Sequence, residues 1–119
     1  VAASTPARVV FVTDAMAAAA SSDGDYVLGE LPVEVRDGVA RIAGTDTIAG
    51  STLTLDRAVR NAVAAGIPFA QAVRAATQVP ADYLSLPDVG RLAAGKQADV
   101  AVLDDDLRVT RVLHRGAWV

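Results

Sequence analysis

Near the start of the chain, Val9-Val10-Phe11-Val12 is apolar at every position and rich in β-branched and aromatic side chains. That pattern predicts a strand buried on both faces, as in a parallel sheet. Thr13-Asp14-Ala15 follows at once, and Met16 with its alanines leads into Ser21-Ser22-Asp23-Gly24-Asp25, a polar, turn-rich loop. From Tyr26 to Leu31 and Pro32 a hairpin opens. Val33 and Val35 alternate with Glu34 and Arg36, Asp37-Gly38 supplies the tight turn, and Val39 with Ile42 continues on the return strand. An Asp-Gly pair between alternating runs is a strong short-range hairpin signal.

The period then lengthens. Leu55, Ala58, Val59, Ala62 and Val63 follow the i, i+3, i+4, i+7, i+8 spacing of a helix, and Gly66 is placed to stop it. Pro68 suits the first position of a second helix, with Phe69, Ala72, Val73 and Ala76 on one face. Pro80 is expected to end that helix and to begin a short third turn with Tyr83 and Leu84. From Gly90 onward the pattern returns to β, with short strands expected at Val100–Leu103, Val109–Leu113 and Ala117–Val119. Asp104-Asp105-Asp106 and Arg115-Gly116 form the turns between them. No internal repeat is visible.

Composition narrows the classes. The chain has 119 residues, 52% of them hydrophobic, so it is expected to fold rather than stay disordered. Its net charge of −3 provides no basic surface for phosphate neutralisation, which argues against nucleic acid as a partner. Absence of cysteine excludes disulfides and thiolate metal sites and is compatible with a reducing compartment, though many exported proteins also lack it; a cytoplasmic location is expected. The first residues lack the charged-then-apolar order of a signal peptide. The apolar stretch Val9–Ala20 is short and broken by Asp14, so it does not span a bilayer.

Little catalytic chemistry is in sight. His114 is the single histidine, and its place in the last strand pair reads as a packed or solvated side chain. Without a histidine pair or cysteine cluster the chain is not expected to hold a first-row metal alone. Phosphate loops, dinucleotide fingerprints, nucleophile elbows and a Ser-His-Asp set are all missing. The three acids at 104–106 lack the ligand alternation and distal Glu of a calcium loop and read as a hairpin tip. Two candidates remain. Asp14 either caps the following segment or stands at a strand's C-terminal rim as a general acid/base. The Gly50-Ser51 loop is either a simple helix entry or a set of free backbone N–H groups for a polar or anionic ligand.

The stretch Gly90-Arg91-Leu92-Ala93-Ala94-Gly95-Lys96-Gln97-Ala98-Asp99-Val100-Ala101-Val102-Leu103-Asp104 resembles the closing signature of the amidohydrolase superfamily, metal-dependent hydrolases built on a TIM-type barrel beside a small β-domain. Upstream, Phe11-Val12-Thr13-Asp14-Ala15-Met16, Ser22-Asp23-Gly24, Tyr26-Val27-Leu28-Gly29, Val35-Arg36-Asp37-Gly38-Val39-Ala40 and Ile48-Ala49-Gly50-Ser51-Thr52-Leu53-Thr54 resemble the N-acetylglucosamine-6-phosphate deacetylase family. Arg60-Asn61, Arg74-Ala75-Ala76-Thr77 and Pro80-Ala81 continue the likeness in the same order.

The resemblance implies an α/β fold: the C-terminal part of a (β/α)8 barrel with strands of a small β-sandwich. Residues 1–86 would hold the last barrel strand, hairpin and helices, and 87–119 the sandwich strands. A barrel takes roughly 200 or more residues, so the chain is expected to be the last third of a longer enzyme. Such an enzyme hydrolyses N-acetyl-D-glucosamine 6-phosphate to D-glucosamine 6-phosphate and acetate, and the segment alone is expected to be inactive. By the same resemblance Asp14 is the catalytic acid, which contacts the metal or its bound water, takes that water's proton and returns it to the leaving amine. Ile48, Ala49 and Gly50 contact the sugar. The implied metal is divalent, zinc foremost, with its ligands in earlier sequence; the remainder of the enzyme and a second copy in a homodimer are the implied partners. A hairpin directly after the last barrel strand would be an excursion over the active-site mouth. Ala20 departs from the glycine usual there, which would strain the loop behind Asp14 if that position needs positive φ. The alternatives are another amidohydrolase, of the dihydroorotase or cyclic-amide type, and a non-catalytic fragment acting only in assembly.

Overall fold

The fold is described from a computed structural model over residues 9–119. It divides into two compact units, Thr13–Thr54 and a second that joins Leu55–Val119 to the described residues up to Val12. Residues 87–119 therefore stay with the helices that precede them.

In the first unit, β1 (Gly24–Leu28), β2 (Leu31–Arg36) and β3 (Val39–Ile42) form an antiparallel meander in the order β1-β2-β3. The expected hairpin is its β2–β3 half. Asp37 and Gly38 both have positive φ, 52° and 71°, the geometry of the two-residue turn that matches strand twist. The carboxylate of Asp23 locks this turn by accepting the N–H of Asp37 at 2.5 Å and of Gly38 at 3.0 Å. Alternation in β2 puts Val33 and Val35 on one face, where they pack with Met16, Ala18 and Ala40 into the unit's core. Glu34 and Arg36 take the other face, and Arg36 pairs with Asp25 across the sheet at 3.0 Å.

The second unit holds three helices, α1 (Leu55–Ala64), α2 (Phe69–Ala76) and α3 (Gln78–Tyr83), followed by β4 (Val100–Leu103), β5 (Val109–His114) and β6 (Ala117–Trp118) in a second antiparallel sheet. Gly66 (φ 89°) ends the first helical segment as its sequence predicts. Pro68 is the N-cap of α2 rather than its first helical residue. The second helix stops at Ala76, because Thr77 leaves helical geometry (φ −132°, ψ −79°), and Pro80 lies inside the first turn of α3, where its missing N–H costs nothing. Asp104 closes the β4–β5 loop by accepting the Arg108 N–H at 2.8 Å, and Arg115-Gly116 turns β5 into β6 with both φ values positive. Arg60 on α1 bonds Asp56 at 2.6 Å and the Leu107 carbonyl at 2.9 Å, fastening that loop to the helix.

Two expectations need correction. Val9–Val12 forms no β-ladder: the Phe11 N–H is donated to the Ala75 carbonyl at 3.0 Å, and Val12 is 79% exposed. A parallel strand exists only through its neighbours, and no strand runs beside this one among the described residues. Both three-stranded sheets are antiparallel, and the parallel pairing described is the isolated bridge between Ala15 and Ser51.

Candidate active site

That bridge brings the candidate residues together. The Ser51 N–H donates to the Asp14 carbonyl at 3.0 Å, and the Met16 N–H donates to the Ser51 carbonyl at 2.9 Å. On its other side the loop is fastened to β3: Ala49 N–H bonds the Ala40 carbonyl at 3.0 Å, and Ile48 bridges to Arg41. The sheet is thus extended beyond β3 by 48–51 and then by 14–16. Asp14, at the outer edge, reaches the Ile48–Gly50 loop although 34 residues lie between Asp14 and Ala49 in sequence, and all of it lies within one compact unit.

Each member presents something different. Asp14 is exposed, has φ 52°, and its carboxylate has no hydrogen-bond or ion-pair partner among the described residues. Ile48 turns an exposed side chain outward, while Ala49 packs against the core. Gly50 has φ 120°, a backbone conformation that favours glycine, while a Cβ there would make only ordinary contacts, 3.4 Å from Met16 Cβ and 3.7 Å from the Asp14 carbonyl oxygen. Such a site offers a free carboxylate beside a loop of low bulk, suited to proton transfer on a polar ligand.

Part of the loop's amide set is already paired, while the Gly50 N–H has no partner among the described residues. The N–H groups of Ala49 and Ser51 are spent on sheet-like pairing, that of Leu53 goes to Ser51 Oγ at 2.9 Å, and α1 starts only at Leu55. The neighbouring strands claim these donors before any ligand could. Ala20 does adopt positive φ, 60°, so the strain foreseen for a non-glycine there is present.

Residues 30–119 match the Amidohydrolase family. The chain belongs to that family. Among solved amidohydrolases, an aspartate-to-alanine variant of N-acetyl-D-glucosamine-6-phosphate deacetylase from Mycobacterium smegmatis, in complex with N-acetyl-D-glucosamine-6-phosphate, is similar at TM-score 0.85 and 52% identity. The match covers 95% of this chain and 31% of that one. The N-acetylgalactosamine-6-phosphate deacetylase of Escherichia coli O157:H7 is 42% identical over 92% of this chain and 29% of its own length. The human N-acetylglucosamine-6-phosphate deacetylase is 41% identical over 96% of this chain and 28% of its own. This amidohydrolase chain therefore spans under a third of the length of each of these three relatives.

For an amidohydrolase the implied divalent metal must be tested against the residues at hand. Among the described residues, no three or more His, Cys, Asp or Glu side chains gather in one place. The donor set here does not fit a metal centre by itself. His114 lies in the other unit, with Nδ1 3.3 Å from Asp99.

Met16 is not among the candidates that the sequence singles out, and Ser51 stands there only as part of the Gly50-Ser51 loop, not as a partner of Asp14. Ser51 acts through its backbone, which composition does not reveal, whereas Met16 is the chain's single methionine and stands two residues after the candidate acid, a signal that was legible.

Proposed function

We propose that this amidohydrolase chain is the part of a sugar-phosphate deacetylase that carries its acid/base, Asp14, and its sugar-contacting loop, Ile48–Gly50. The observation that supports the reading is the Ser51 clasp, which joins the main chain of Asp14, whose carboxylate is unpaired among the described residues, to the end of that loop within one compact unit. In the reaction a water oxygen bonds to the acetamide carbonyl carbon while its proton passes to the Asp14 carboxylate. The C–N bond then breaks and the proton moves to the leaving nitrogen, giving the free amine and acetic acid, which ionises to acetate by releasing its proton to solvent.

The substrate of this reading is an N-acetylhexosamine 6-phosphate, with the glucosamine epimer favoured by the 52% identity to the Mycobacterium smegmatis enzyme bound to that sugar. The galactosamine epimer is the second reading, supported by the 42% identical Escherichia coli relative. Zinc or another divalent ion would be held by residues beyond this chain. The domain organisation expected from sequence belongs to the same proposal, with 1–86 in the barrel domain and 87–119 in the β-sandwich. A cytoplasmic homodimer is the working form. Acetate release by the full-length enzyme from both epimers tests the reading. Turnover of the glucosamine epimer at least tenfold above the galactosamine one is expected; turnover of neither sugar contradicts it.

A further inference from the structure

We propose that Met16 is the positioning residue for Asp14, holding by its burial the left-handed backbone on which that carboxylate stands. The inference rests on the reading of Asp14 as proton carrier and concerns how its carboxylate is kept in place. Asp14 has φ 52°, a left-handed conformation that aspartate adopts more readily than most side chains but that still costs free energy unless its surroundings support it. Its own side chain is exposed and unpartnered among the described residues, so the constraint comes from adjoining backbone.

Met16 supplies that constraint on two sides. Its N–H is bonded to the Ser51 carbonyl, and its side chain, 8% exposed, is sunk among Val33, Val35 and Ala40 of the sheet. Toward the loop, the space a Cβ would take at Gly50 is bounded by Met16 Cβ at 3.4 Å, Met16 Cγ at 3.7 Å and the Asp14 carbonyl at 3.7 Å. The side chain therefore lies between sheet core and loop, a place that an unbranched, adaptable residue fills. Truncating it opens a void beneath both hydrogen bonds of the Ser51 clasp and lets Asp14 relax toward negative φ. A displacement of about 1 Å at a reacting group costs on the order of 10²-fold in rate.

The experiment uses the full-length enzyme with Met16→Ala, Met16→Leu and, as reference, Asp14→Asn, each checked for folding by thermal melting. Met16→Ala is expected to lower kcat about 10- to 100-fold with KM near wild type, and Met16→Leu to restore most of the loss. A Met16 that only stabilises the fold would lower Tm and leave kcat per folded molecule unchanged; that outcome, or a rise in KM with kcat intact, overturns the proposal. Should Met16→Ala not fold, Met16→Val is held to the same kcat-against-KM criterion. Wild-type kcat in Asp14→Asn sinks the acid/base reading and the positioning role with it. An inactive Asp14→Asn beside a fully active Met16→Ala sinks the positioning role alone.

Discussion

The two sheets of this chain are alike in size and unlike in what they bury. In the meander, β2 alternates apolar and polar residues, and its Val33 and Val35 are 1% and 2% exposed. In the second sheet, β4 is apolar at every position, Val-Ala-Val-Leu, yet no residue of β4, β5 or β6 is buried. An alternating strand needs one cover and finds it in Met16 and Ala18; a continuously apolar strand needs two. Beside that sheet lies an open groove of about 640 Å³ whose lining includes Val59, Val73, Val100, Leu103 and Val109. The lesson is that the unit bearing Asp14 buries one face of its sheet on its own residues, whereas the sheet of the other unit has no buried residue.

The contrast can be broken most forcefully at Gly90. The helical unit buries mainly small residues, Ala72, Ala75 and Ala81, and permits a backbone approach that no side chain tolerates. A Cβ at Gly90 (φ 79°) would stand 2.7 Å from Ala81 Cβ and 2.8 Å from the Thr77 carbonyl oxygen. Gly90→Ala in the full-length protein is expected to cost about 3 kcal/mol, from overpacking and positive φ together, read by denaturant unfolding. A loss under about 1 kcal/mol would mean that the loop and α3 do not meet this way.

A paired truncation sharpens the difference between the sheets. Val33→Ala removes a fully buried side chain and is expected to cost about 2–3 kcal/mol. Val102→Ala, 37% exposed here, would cost under about 0.5 kcal/mol if the second sheet stayed as open as it is in this chain. In the full-length enzyme the account expects a cost nearer 1.5 kcal/mol, because the sheet is then covered. Equal, negligible costs at both positions would remove the contrast.

How much of this was legible in sequence follows the same division. Period and turn chemistry are local, so the Asp37-Gly38 turn, the stop at Gly66 and the strands after Gly90 could be read directly. Val9–Val12 was read as a strand from its composition, but a strand is made by neighbours, and Phe11 bonds Ala75 instead. The Ser51 clasp on Asp14 is non-local and made by main-chain atoms, so no residue type announces it. The same non-locality hid the capture of the loop amides by β3 and by Asp14. Only the resemblance of the Ile48–Ser51 segment to a substrate-contacting loop put it beside Asp14 in advance.

Smaller effects remain in each unit. Ala20, at φ 60°, is expected to give way to glycine with a gain of about 1 kcal/mol; no gain on Ala20→Gly would show that the position relaxes without strain. Just before β4, the Asp99 carboxylate accepts the Arg115 N–H at 2.7 Å, then the Gln97 amide, and lies near His114 and Arg115, which together hold it below the usual carboxylate range. Its folded value is depressed, so its contribution to stability is complete above the unfolded carboxylate range and fades as pH falls through the lower folded value. Carbon-detected titration of the Asp99 carboxyl should show that low midpoint, and a midpoint at or above the usual range would contradict it.

Asp14→Asn in the full-length enzyme addresses the central claim most directly. Asparagine keeps the shape and tolerates left-handed backbone, so the Ser51 clasp survives while the carboxylate that moves the proton is gone. The account predicts a fall in kcat of about 10²- to 10⁴-fold or more, with substrate still bound and metal content equal to wild type. A variant that keeps its metal and retains more than about a tenth of wild-type kcat would show that Asp14 is not the proton carrier.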